Sequence, residues 1–146
     1  MLVDNMKMLL ASSFSLYVKA SNFHWNVEGP DFPEYHNFLG DFYAEIYETI
    51  DPIAEYIRAL DSYAPGSLSK FQELTIIKDQ TLQLLPVDMF TELLGDNYTL
   101  LDFLKSTFNE AIAENQQGIA NFLAERIDAM QKHNWMIRSI LKSSRM

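Results

Sequence analysis

Apolar residues recur every three or four positions along most of this chain. Val3, Met6, Leu10, Phe14, Tyr17, Ala20 and His24 fall on one stripe, which predicts a first helix over about residues 3–26. Gly29-Pro30 breaks it. Asp31 then has the character of an N-cap, with Pro33 in the first turn and Glu34 three residues beyond the cap. A second helix follows over about 32–60 and stops at the Pro-Gly turn of "DSYAPGS". The capping pattern Ser69-Lys-Phe-Gln72 opens a short helix near 69–77. Pro86 precedes a third long helix over about 87–114. "ENQQG" at 114–118 interrupts, and a fourth carries Ile119, Phe122, Ile127, Met130, Ile137 and Leu141 to about 142.

No strand-like alternation and no internal repeat competes with this pattern, so the fold class is all-α. Short turns make the first and second helices, and the third and fourth, antiparallel neighbours. The connection between the second and third is about 25 residues, contains its own helix and is long enough to cross a bundle. Four helices with one long crossover form the ferritin-like topology. We expect one domain over residues 1–146.

Composition narrows the functional classes. A chain of 146 residues, 48% of them hydrophobic and 13% aromatic, buries a sizeable core. It has no cysteine, which removes disulfides, thiolate metal sites and cysteine nucleophiles. "MLVDNMKMLLASS" lacks the layout of a secretory signal, and no apolar run approaches the ~20 residues that span a bilayer. We expect a soluble, cytoplasmic protein. The net charge of −9, from 20 acids against 11 bases, disfavours a phosphate backbone as partner. Two readings of that charge stay open: plain solubility, or attraction of cations.

The candidate chemistry sits in "HWNVEGPDFPEYH", residues 24–36. His24 closes the first helix and His36 opens the second, so an antiparallel hairpin brings these ends together. Either the two imidazoles face one site, or each is a hydrogen-bonded structural residue. Asp51 and Glu55 stand four apart, on one face of the second helix. They read either as ligands, with imidazole and carboxylate together suiting iron, or as a solvated acidic edge bonded to Arg58.

Distance constrains the first reading. His36 and Asp51 are fifteen residues apart, roughly 22 Å along a helix axis. Metal–ligand bonds are about 2 Å long. One chain therefore cannot join His36 and Asp51 on one ion: the two pairs belong to separate sites, or to one site shared by two chains across a twofold axis. The Glu-x-x-His motif of di-iron sites built inside one bundle is missing from the chain. So are phosphate loops, dinucleotide fingerprints and the Gly-x-Ser-x-Gly elbow. His133 reads as structural, and Trp135 and the seven methionines read as core.

Together with "DPIAEYIRAL" and "PGSLSKF", the 24–36 segment resembles the Dps family, the DNA-binding proteins from starved cells or miniferritins. The resemblance is strong over about residues 20–75. It implies a homo-dodecameric hollow shell with a ferroxidase site at each twofold interface. His24 and His36 match the histidine ligands from one subunit, and Asp51 and Glu55 the carboxylates from its partner. It implies that ferrous iron is oxidised, preferably by hydrogen peroxide rather than oxygen, and stored as ferric mineral. Trp25 matches a tryptophan that takes up stray oxidising equivalents.

Two departures stand out. Many members carry an aspartate four residues after the second histidine, where this chain has Gly40. Asp41, next to it, is turned by ~100° around the helix and is no automatic substitute. A weaker second iron position follows. Members that bind DNA often use a lysine-rich tail, whereas here only Lys7 is basic before Lys19, and the C-terminal segment offers Arg138, Lys142 and Arg145. DNA binding is expected to be weak or absent. The alternative is a nucleoid-associated structural shell with a vestigial metal site. Acidic residues near the last turn, such as Glu114 and Glu125, are candidates for an ion path.

Overall fold

The computed structural model describes residues 1–142, which hold no strand and six helical segments. These are α1 (Leu2–Asn26), α2 (Phe32–Glu48), α3 (Ile50–Ala59), α4 (Leu68–Leu74), α5 (Pro86–Ala113) and α6 (Gln117–Leu141). The all-α bundle with its short crossover helix agrees with the periodicity. Arg145, one of the C-terminal bases, lies outside the described residues.

The core follows the predicted stripes. Leu2, Met6, Leu9, Leu16, Ala20 and Phe23 of α1 are buried against Leu39, Phe42 and Ile46 of α2, Ile53 and Ile57 of α3, and the inner faces of α5 and α6. Full burial of each large apolar side chain contributes roughly 1.5–3 kcal/mol. α1 packs mainly on α2 and α5 on α6. Bonds between α1 and α5 set these two antiparallel: the Leu2 amide donates to Glu114 at 3.0 Å, and Asn5 Nδ2 donates to Glu110 at 2.8 Å. Glu114 thus caps the α1 N-terminus, where a carboxylate meets free amides and the positive end of the helix dipole.

The second predicted helix is broken in two at Thr49, which corrects the single span over 32–60. Pro52 explains the break. It has no N–H for the Glu48 carbonyl, and its ring crowds that carbonyl. Thr49 sits buried at the break and donates its hydroxyl to the Ile46 carbonyl at 2.7 Å. The cap of α4 also differs: Ser67, not Ser69, accepts the Lys70 amide, at 3.3 Å. Asp31 occupies the N-cap of α2 without a side-chain cap bond. In the α1–α2 turn Gly29 adopts φ +123°, a conformation that favours glycine.

The long crossover is pinned to the bundle. The Ile76 amide donates to Ser12 Oγ at 3.1 Å, and Gln83 Nε2 donates to the Asn26 carbonyl at 2.7 Å. Lys19, only 4% exposed, donates to the Lys78 carbonyl at 3.0 Å and forms ion pairs with Glu92 Oε1 at 3.0 Å and Asp96 Oδ2 at 2.8 Å. A carbonyl and two carboxylates thus surround the buried ammonium, the pairing that a buried charge requires. Burial pushes the Asp96 carboxyl up against the pull of Lys19. At Glu92, burial is outweighed by the bonds from Gln80 and Lys19, which hold the carboxyl below its usual range. Trp135 departs from the core reading: it is 61% exposed, and the buried α6 positions beside it are Asn134 and Ile137. Of the methionines, Met6, Met89 and Met130 are buried, while Met1 is exposed. No described helix is long and apolar enough to cross a membrane.

Candidate metal centre

Val27 leaves the helix in extended backbone, Gly29 turns the chain, and α2 starts back along α1. This crossing sets His24 and His36 face to face, with ring centroids 3.8 Å apart and planes 15° from parallel. Their hydrogen bonds are reciprocal. His24 Nδ1 lies 2.6 Å from the His36 carbonyl, and His36 Nδ1 lies 2.7 Å from the His24 carbonyl. A carbonyl only accepts, so both Nδ1 atoms carry the proton. This leaves Nε2 as the ring nitrogen available for coordination. A backbone acceptor on the far nitrogen is also the usual way to orient a metal-binding histidine.

Aromatic and small residues complete the mount. Phe32 stacks on His36 with centroids 4.9 Å apart, and Tyr43 meets His24 edge-on at 5.2 Å. Sequence reasoning passed over both, although the signal was present: Phe32 is four residues before His36 and Tyr43 seven after it, on the same face of α2. Gly40 lies beneath His24. A Cβ built there would stand 2.9 Å from His24 Cε1.

Asp51 and Glu55 occupy the exposed face of α3, a turn apart and beyond the Pro52 break. Arg58 does not pair with them. It donates to the Ser62 carbonyl at 3.0 Å and lies 4.8 Å from the centroid of the Tyr63 ring. Among the described residues of one chain, no three His, Asp or Glu side chains converge on a common metal position. The structure therefore brings the two histidines together and leaves the two acids apart from them.

Trp25 is 68% exposed, beside His24 in sequence and away from the core. His133 is half-buried edge-on to the Phe42 ring, at 4.7 Å. Burial pushes its imidazole below the ordinary range, with Arg126 acting the same way and Glu45 opposing. Arg126 itself holds Glu45 through both guanidinium arms, one of them at 3.0 Å. Glu125 accepts from Asn121 at 3.3 Å, and Glu114 is engaged as the α1 cap.

The ferritin-like domain model matches residues 3–146. A DNA protection during starvation protein of Helicobacter pylori is 31% identical over 137 residues, covering 93% of this chain and 95% of that protein. A Dps protein from Bacillus brevis superposes with a TM-score of 0.94 at 28% identity, over 97% of this chain and 95% of that one. A Dps structure from Vibrio cholerae, described as a member of the ferritin-like diiron-carboxylate superfamily, matches with a TM-score of 0.93 at 25% identity, over 97% and 89% of the chains. With its bundle, its long pinned crossover and its paired histidines, this chain belongs to the Dps family of ferritin-like proteins.

Proposed function

We propose that this chain oxidises ferrous iron and stores the ferric product in a hollow shell of twelve copies, as a single ferritin-like domain in the cytoplasm. The observation that carries the reading is the reciprocal bonding of His24 and His36. It sets the two Nε2 atoms on the side of each ring away from the bonded carbonyl, where a neutral imidazole coordinates, and holds the rings without any help from the metal. Carboxylates complete a set suited to iron, because oxygen donors and imidazole accept both its oxidation states.

The carboxylates come from a second chain. Asp51 and Glu55 are exposed and unpaired with Arg58. They also lie too far along the α2–α3 axis to reach the histidines of their own chain. A twofold pairing would place each chain's acids against its partner's histidines and make two equal sites. A groove of about 440 Å³ between α1 and α4, lined by apolar Phe14, Val18, Leu68 and Phe71 and by polar Ser15 and Gln72, supplies a face for such a partner. Val18 and Leu68 are both exposed in the single chain.

Two ferrous ions each give one electron to hydrogen peroxide. The O–O bond breaks and two hydroxides form, so no hydroxyl radical escapes. The exposed indole of Trp25 beside His24 takes up oxidising equivalents that leave the site. A nucleoid-associated structural shell, the other reading of the sequence, would need a basic surface, which a chain of net charge −9 does not supply.

Mixed particles test the shared site. A His24→Ala/His36→Ala chain and an Asp51→Ala/Glu55→Ala chain should each be inactive in iron oxidation. Co-assembled, they should regain activity, because some interfaces would pair intact histidines with intact acids. Hybrids as inactive as the parents would sink the proposal.

A further inference from the structure

Beyond the histidines lies an unbroken line of phenols. Tyr43 of α2 meets the His24 ring at 5.2 Å between centroids. Tyr17 of α1 follows, 5.7 Å from Tyr43, and then Tyr47 of α2, 4.9 Å from Tyr17. Tyr17 and Tyr43 are partly covered, whereas Tyr47 is 56% exposed. Tyr47 also lines a notch of about 150 Å³ with Glu48, Ile50 and Asp51. The line therefore begins at the imidazole half-site of a chain and ends beside the carboxylate half-site of that same chain.

We propose that Tyr43, Tyr17 and Tyr47 form a relay that moves an oxidising equivalent from the His24/His36 end of a chain to its Asp51 end. This rests on the shared-site reading above. There the two ends of one chain belong to the two different sites of a twofold pair, so the relay joins those sites. Phenols suit the task, because a tyrosine side chain releases an electron to a strong oxidant and its proton to water. Rings in near contact exchange electrons rapidly, since electronic overlap falls off exponentially with the gap. No cysteine competes as a trap.

The need for a relay arises where a site holds a single ferrous ion, the condition that the missing carboxylate at Gly40 favours. That ion gives hydrogen peroxide one electron, and the O–O bond breaks into hydroxide and an oxidant at the level of hydroxyl radical. The oxidant takes one electron from Tyr43 and becomes the second hydroxide. Tyr17 refills Tyr43, and Tyr47 refills Tyr17. Tyr47 is left as a neutral radical whose phenolic proton has passed to water. A ferrous ion at the neighbouring Asp51 then returns one electron, and the phenol regains a proton. The sum is two ferrous ions oxidised and one peroxide reduced to two hydroxides, with the ions in different sites.

The test uses assembled particles given fewer ferrous ions than sites, then hydrogen peroxide. Freeze-quenched electron paramagnetic resonance reads the tyrosyl radical, spin trapping reads escaped hydroxyl radical, and absorbance reads iron oxidation. Wild-type particles should show a transient tyrosyl signal and little trapped radical. Tyr17→Phe and, separately, the surface variant Tyr47→Phe should lower that signal and raise trapped radical severalfold, with oxidation at saturating iron unchanged. Tyr63→Phe, outside the line, should match wild type. If Tyr17→Phe and Tyr47→Phe also match wild type while His24→Ala/His36→Ala abolishes oxidation, the relay is overturned and the shared site stands. If the double-histidine variant oxidises iron as fast as wild type, both fall.

Discussion

The His24 imidazole lies so close over Gly40 that a Cβ at residue 40 would stand 2.9 Å from Cε1 and 3.2 Å from Nδ1. Glycine at this helical position costs up to ~1 kcal/mol relative to alanine. In exchange, the ring stays against His36 with its Nδ1 on the His36 carbonyl. Gly40→Ala should therefore leave thermal stability nearly level, as helix propensity and crowding offset each other, and weaken ferrous binding. Anaerobic calorimetry reads the second effect. In the wild type the same titration should resolve two unequal steps per site, since no carboxylate stands at residue 40. Equal, tight steps in wild type, or unchanged affinity in Gly40→Ala, would show that the glycine has no such role.

Lys19→Met tests the pinned crossover. The substitution keeps length but leaves Glu92 and Asp96 without their shared cation. Breaking a buried ion pair from one side costs about 3–5 kcal/mol, and the partial exposure of Glu92 puts this case toward the lower end. Denaturant unfolding of the assembled protein should show the loss. A change below about 1 kcal/mol would mean that the triad is not what holds the crossover.

His133 gives stability a dependence on pH. Burial lowers its folded value, so below about 6.5 the unfolded chain binds more protons than the folded one. Its contribution is fully present above that pH and is lost as pH falls through the window between the unfolded and folded values. The slope from this one group is at most about 1.4 kcal/mol per pH unit. His133→Leu should flatten the wild-type curve between pH 6.5 and the acid limb. Parallel curves would assign the acid sensitivity elsewhere.

Duplex DNA should not be retarded by the assembled protein near neutral pH and ~0.15 M salt, because few phosphates could be neutralised. Tight binding there, without a divalent cation, would contradict the reading of the −9 charge.

The sequence was most legible where it carried punctuation. Gly29-Pro30 and Pro86 mark the helix boundaries, and the length of the crossover selects the topology. The Pro52 break was also written in the chain, but Ile50, Ile53, Ala54 and Ile57 continue the apolar stripe across it and hide its effect on direction. Trp135 illustrates the opposite error. Met130, Asn134, Ile137 and Leu141 keep the helical spacing, so the core slot belongs to Asn134, and residue type misled where position did not. The spacing of the two histidines fixed where they meet. Their exchange of hydrogen bonds with each other's carbonyls depends on how α1 and α2 cross, and no linear pattern carries that. Under the shared-site reading the partner of Asp51 and Glu55 lies on another chain, and a single sequence bounds that arrangement only through distance.

The break at Thr49 has a mechanical meaning under the shared-site reading. α2 carries His36, held against His24 of α1, and α3 carries the acids, so one bend angle sets how far each chain reaches toward its neighbour. In a twofold pair the same angle occurs twice, and a few degrees of flexing would widen or narrow both sites in step. Pro52 thus works like the rivet of a pair of callipers: the gap between jaws is set at a point that touches nothing being measured.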